Sequence, residues 1–270
     1  MTTEVVESGP FDIARVIQQT FGVLKRNIAT FSILGVVLAG IPTALIAFLQ
    51  FGVMREQIGA VQSGTFNFTP GAVAGASVGG LAAVVTTAIL QGALIYATIQ
   101  DLNGQRPSVG ASLATGLRNF LPLLVVTLLF VLAVAFGMVL LVVPGVMIAC
   151  AWCVAVPALV ADRTGIMGAF SRAAELTRGN RWQIFGLAVI VWVALLIIGL
   201  IFNAIMGVSM IAQDPSRVLE QVLSPAFLIV SVIRSTITSV IGATAIAVIY
   251  VELRRAREGG GPQWLADIFS

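Results

Sequence analysis

The sequence predicts an all-α, polytopic membrane protein, with six transmembrane helices and amphipathic helices lying at one membrane surface. Three observations predict it. Hydrophobic residues make up 58% of the chain and charged residues 10%, against roughly a quarter charged in soluble domains. Six apolar runs are long enough, or nearly so, for the roughly 20 residues that a bilayer core demands. Three amphipathic stretches each end in an asparagine that stands immediately before an apolar run.

Residues 1–10 carry Glu4 and Glu7 where a signal peptide would carry basic residues, so no cleaved leader is expected. Residues 11–26 read as the first surface helix. Ile13, Val16, Ile17, Thr20, Phe21, Val23 and Leu24 share one face, opposite Asp12, Arg15, Gln18, Gln19, Lys25 and Arg26. The first span is expected over about 28–50. Pro42 interrupts it, which a span tolerates where neighbours take up the freed carbonyl. A polar segment, 55–70, leads to span two, about 71–99, which opens with Gly71, Gly75 and Gly79 at the spacing that lets helices approach closely.

The second surface helix falls within 100–119, with Val109, Leu113 and Leu117 on one side and Arg118 at its end. Span three covers about 120–141. Pro144-Gly145 predicts a tight turn, and span four, about 146–160 with Pro157 near its inner end, is short enough that it should bend or extend into Ala161. The third surface helix runs from Gly165 to Arg178. Ile166, Met167, Phe170, Ala173, Ala174 and Thr177 form its apolar arc; Gly179 suits the left-handed position that ends a helix, and Asn180 suits the cap of the next. Spans five and six are expected over about 182–209 and 225–250. Residues 1–258 thus form one six-span membrane domain. Residues 259–270 form a glycine-rich break and a short amphipathic tail with Trp264, Leu265, Ile268 and Phe269 on one face.

LKRN ending at Asn27, GLRN ending at Asn119 and TRGN ending at Asn180 align, with Phe31, Leu123 and Ile184 four residues on. The implied unit is one surface helix plus two spans, repeated three times. Basic residues set the orientation. With the N-terminus inside, twelve of the 15 basic residues fall on inner segments, Arg55 and Arg217 fall outside, and Arg234 is left within span six. That asymmetry predicts two cytoplasmic termini.

The entry of each apolar run into the bilayer is thus marked, but the chemistry is sparse. Histidine is absent, which excludes histidine-dependent acid–base and metal chemistry. Cys150 and Cys153 lie in an apolar run and read as packing residues sharing a helix face. No phosphate-binding loop, no nucleophile–base set and no nucleic-acid signature is present, so neither an enzyme nor a cofactor nor a nucleic-acid partner is expected. The candidate ligand or lipid contact is Arg234 in the polar stripe Ser231, Arg234, Ser235, Thr238, Ser239 and Gly242, with Asn203 of span five and Gln91 of span two as polar neighbours. Arg15, Lys25, Arg26, Arg172 and Arg178 are candidate contacts for anionic headgroups.

The stretches AFSRAAELTRGNRWQIFGLAVI, LLVVPGVMIACAWCVAVPALVAD and AVIYVELRRAREGG resemble the membrane-domain family of glycerophosphoryl diester phosphodiesterases. The resemblance implies a stand-alone six-span protein of a bacterial inner membrane, without the hydrolase domain that some relatives carry. The expected function is non-catalytic: organising membrane lipids, anionic ones above all, or a protein partner through the cytoplasmic helices or the tail. A transporter or lipid carrier built on Arg234 is the alternative.

Overall fold

The computed structural model describes residues 11–46, 70–205 and 224–258. Among them there is no strand, and six helical segments are long and apolar enough to cross a membrane: Ile28–Ile46, Gly79–Leu102, Phe120–Leu140, Val142–Asp162, Arg181–Ala204 and Pro225–Glu258. The chain is an all-α, multi-pass architecture. The loops holding Arg55 and Arg217 and the tail 259–270 lie outside the described residues, as do the surroundings of Gly71 and Gly75.

Helix α1, Ile13–Arg26, starts where the Asp12 carboxylate accepts the Ala14 amide at 2.8 Å and ends with Lys25 and Arg26, charges that suit the two poles of the helix dipole. Helix α2, Ile28–Gly35, passes into a π-helical turn, Val36–Gly40, and continues helically to residue 46. Pro42 accounts for the wide turn: its ring excludes the normal bond to the carbonyl four residues back. The Ile41 amide reaches Val36 instead, and the Thr43 hydroxyl donates to the Ala39 carbonyl at 2.6 Å.

Helix α3, Pro70–Leu102, is followed by α4, Val109–Arg118, which starts from a Ser108 cap and runs back along it. Helix α5, Phe120–Leu140, makes a hairpin with α6, Val142–Trp152. The turn is at Leu141, in an extended conformation (φ −163°, ψ 143°), and not at Pro144-Gly145. Pro144 sits in the first turn of α6, where no amide donor is needed, and Gly145 faces Gly137 so closely that a Cβ on Gly137 would lie 2.8 Å from the Gly145 Cα. Span four does bend. It breaks at Cys153–Val154 and resumes as α7, Ala155–Asp162, because Pro157 cannot bond the Cys153 carbonyl. Helix α8, Gly165–Thr177, precedes α9, Arg181–Ile205, and α10, Pro225–Glu258, which runs past Tyr250 to Glu258.

The three repeats are visible in the packing. Asn27, Asn119 and Asn180 each offer a carbonyl to the amide four residues on, and those residues, Phe31, Leu123 and Ile184, are all buried. Seven residues before each asparagine a small side chain is buried: Thr20, Ser112 and Ala173. The pairing is cyclic. Helix α4 lies against α3, α8 against α7, and α1 closes the ring against α10. These amphipathic helices are wedged into the bundle more deeply than a surface-lying helix would be: the Thr177 hydroxyl, fully buried, donates to the Ala151 carbonyl of α6 at 3.0 Å.

The buried edges of two of them differ from the apolar arcs. Helix α4 buries Ser112 and Gly116 and leaves Leu117 half exposed at 50%; α8 buries Ala169, Phe170, Ala173, Leu176 and Thr177 and leaves Met167 exposed at 77%. Small residues win those positions because the helices meet at backbone distance. A Cβ on Gly116 would lie 2.5 Å from the Ile89 carbonyl oxygen and 3.2 Å from the Ala93 nitrogen.

That contact makes a test. Gly116→Ala should destabilise the protein by about 1–3 kcal/mol through overpacking, read as a lower unfolding temperature in detergent. Gly186→Ala, where nothing lies within 4 Å of the added methyl, should leave the unfolding temperature unchanged or raise it. Equal melting of the two variants would contradict the close crossing of α3 and α4.

Candidate functional site

Each even-numbered span ends in a carboxylate, and these carboxylates, along one polar rim, hold two of the three amphipathic helices, α1 and α8. Asp162, at the end of α7, accepts from Arg254 Nη1 at 2.9 Å and from the Tyr250 hydroxyl at 2.8 Å, both on α10, and from Arg172 Nε on α8 at 3.2 Å. One side chain therefore joins three helices. Glu258 closes the cluster by accepting from Arg254 Nε at 2.7 Å and from Arg172. Glu252, buried to 2% side-chain exposure, accepts from Arg15 Nη1 of α1 at 2.8 Å and faces Arg255 at 3.8 Å. Asp101, at the end of α3, holds Arg26 Nη2 and Asn27 Nδ2, each at 2.6 Å. That hydrogen bond, more than desolvation opposes it, raises the Arg26 pKa above its ordinary value, with the Coulombic field of Asp101 adding to it.

The five expected headgroup contacts therefore divide. Arg15, Arg26 and Arg172 have carboxylate partners within the protein. Lys25 and Arg178 are exposed and make no ion pair through their side chains among the described residues; the Arg178 carbonyl accepts from Arg257. Arg106, Arg118 and Arg163 are exposed in the same way. Beside these cations lie apolar side chains in the open: Phe21 at 61% precedes Lys25 by one helical turn, Leu121 at 60% follows Arg118, and Trp182 at 85% follows Arg178.

Arg234, Asn203 and Gln91 do not converge. Arg234 is exposed on α10 and, among the described residues, has no hydrogen bond or ion pair, while Asn203 is exposed on α9. Their stripe is used for packing instead: Ser235 shares a hydrogen bond with Thr43 at 3.1 Å, and Thr236 fills the space left by Gly35 and Gly40. Gln91 lines an internal cavity of about 220 Å³ with Thr127, Trp152, Cys153 and Ala243. Ala243 is nine residues along α10 from Arg234, about 14 Å of helix rise.

The two cysteines separate as well. Cys153 borders the Gln91 cavity, whereas Cys150 borders a groove of about 530 Å³ between α6 and α9, so their sulfurs serve different surfaces. The groove has Val143, Val146 and Met147 on one wall and Trp182 and Phe185 on the other, with Arg181 at one end. Arg181 is half-buried, and its Nε is buried with no hydrogen-bond partner among the described residues. Neither the rim carboxylates nor Arg181 figured among the sequence candidates. The signal for the carboxylates was present: Asp101 and Asp162 stand within two residues of the expected ends of their spans, and Glu252 stands within two of Tyr250. Among the described residues no group of three or more metal-ligating side chains occurs.

No family model matches the chain, and neither the curated proteins nor the solved structures contain a match.

The rim cluster predicts a measurable asymmetry. Asp162→Asn removes the carboxylate that Arg172 and Arg254 share, each less than a quarter exposed, and leaves both to Glu258; it should cost about 1–3 kcal/mol. Glu175→Gln, removing a carboxylate that is 64% exposed and 3.6 Å from Arg172, should change stability by less than about 0.5 kcal/mol. Denaturant titration in mixed micelles compares them.

Proposed function

We propose that the protein is a non-catalytic integral membrane protein of a bacterial inner membrane that gathers anionic lipid around its cytoplasmic rim. The observation that carries this reading is the pairing of exposed cations, without an ion pair among the described residues, with exposed apolar side chains where each amphipathic helix joins its span. Lys25 stands with Phe21 and Ile28, Arg118 with Leu117 and Leu121, and Arg178 with Trp182. Apolar groups of this kind settle at the headgroup boundary, and each cation beside an anionic surface adds about 1 kcal/mol. The internally paired arginines hold α1 and α8, and close packing on α3 holds α4.

The family resemblance agrees with a role that lacks catalysis, and the basic residues orient the rim towards the cytoplasm. A carrier working through Arg234 has less support. Its three polar residues lie on separate surfaces, and Arg234 faces outward from the bundle with no cavity beside it among those described. The lipid reading needs no conformational cycle, only a stable rim.

Two measurements bear on this. Single cysteines placed at Asn67 or Asp214, on a background without Cys150 and Cys153, should react with an impermeant reagent added to intact cells, and a cysteine at Arg172 should not. Labelling at Arg172 from outside would reverse the orientation. In the second, Lys25→Gln, Arg118→Gln and Arg178→Gln combined should lower the phosphatidylglycerol retained on purification severalfold with an unchanged melting temperature, whereas Arg234→Leu should retain as much as the parent. Equal retention by parent and triple variant would overturn the proposal.

A further inference from the structure

We infer that the groove between α6 and α9 is a binding site for one anionic phospholipid, its phosphate on the Arg181 guanidinium and one acyl chain laid along Val143, Val146 and Met147. The inference deepens the lipid-organising reading and rests on it for the class of ligand, but it concerns a discrete, saturable site whose charged lining residue is Arg181 and not one of the free cations of the rim.

The groove combines two demands that only an anionic amphiphile meets together. Its walls are apolar from α6 to α9, and Trp182 and Phe185 pack edge to face at 6.1 Å between ring centroids, which gives the second wall a fixed shape. Among the described residues its one charged lining residue is Arg181, and no carboxylate lines it. Every carboxylate of the rim cluster is already held by other arginines: Asp162 by Arg172 and Arg254, Glu252 by Arg15 and Arg255, Asp101 by Arg26. Among the described residues Arg181 thus keeps a buried Nε without a partner, a cost that a bidentate phosphate would remove. At about 530 Å³ the groove is within the range of small-molecule sites, enough for a phosphate and part of one chain. Its floor includes Cys150 and Gly179. Gly179 has φ +93°, and the left-handed turn it makes sets the start of α9 beside α6.

The test uses the full-length protein, delipidated in detergent and titrated with phosphatidylglycerol or phosphatidylcholine of matched chains, followed by native mass spectrometry. The parent should bind one phosphatidylglycerol at least tenfold more tightly than phosphatidylcholine. Arg181→Gln should abolish that preference, Arg181→Lys should restore only part of it because the planar fork is lost, and Val146→Trp should fill the groove and reduce binding of both lipids. Melting curves establish that each variant is folded; should Val146→Trp melt early, Met147→Phe takes its place. Unchanged phosphatidylglycerol preference in Arg181→Gln would overturn the site, as would displacement of the lipid by inorganic phosphate. So would a dimer in light scattering that dissociates in Val146→Trp, since the groove would then belong to a second copy. The triple rim variant separates the two readings: it should keep the single tight lipid while losing the loosely held ones. Loss of the loose lipid with an unaltered Arg181→Gln would leave the rim reading standing and the groove without its ligand.

Discussion

Charge buried at the ends of transmembrane helices has to be neutralised where it stands, and that constraint orders the rest of this molecule. Asp162, at 11% side-chain exposure, ends a helix beside apolar neighbours. An isolated carboxylate there would be costly, and the chain meets the cost by bringing Arg254 and Tyr250 from α10 and Arg172 from α8 to the same two oxygens. Because those partners come from two other helices, satisfying one charge joins three helices. Glu252 does the same between α10 and α1, and Asp101 between α3 and the junction of α1 with α2. Between helices that are apolar on all sides, van der Waals packing has little directionality. The ion pairs supply the register, and small residues set how near the backbones come.

What the sequence revealed follows from what hydropathy measures. The six spans, the asparagines that open three of them and the left-handed Gly179 were all legible, because each depends on local residue type. Which face of each span packs was not. Helices such as α5 and α9 are apolar all round, and their exposed and buried residues do not separate by polarity. The same ambiguity misplaced the buried edge of α4, where Ser112 and Gly116 lie inside and Leu117 faces out, and shifted that of α8, where Ala169 joins the expected Phe170, Ala173 and Thr177 inside while Met167 faces out. In water that inversion would be unfavourable. In a bilayer the outward side chains meet lipid, and close packing rewards the small ones.

The candidate ligand residues lie on separate surfaces for a related reason. Ser231, Arg234, Ser235 and Thr238 form a polar stripe on paper, but two neighbouring hydroxyls of that helix serve helix contact: Ser235 meets Thr43 beside the π turn, and Thr236 fills the space opposite Gly35 and Gly40. Arg15, Arg26 and Arg172 read as free cations because their carboxylate partners are distant in sequence, 237 residues away for Arg15 and 75 for Arg26. A positive-inside count cannot separate a cation that binds headgroups from one that pins a helix. Geometry picks out the paired cations, and Lys25, Arg118 and Arg178 are exposed.

The third repeat shows how a pseudo-symmetric bundle acquires a single distinct surface. In the first two repeats one asparagine joins the amphipathic helix to its span, and its amide side chain donates to the carbonyl four residues back, Val23 or Thr115, so the chain bends but continues. In the third, Arg178 is extended and Gly179 left-handed before Asn180, so the chain turns instead of bending. That turn ends α8 against Ala151 and starts α9 beside α6, with Gly179 and Arg181 both lining the space between them. A glycine is required there because a side chain at φ +93° would be strained. The departure from the repeat and the groove thus have one cause, and a guanidinium stands in that groove because α9 begins with Arg181.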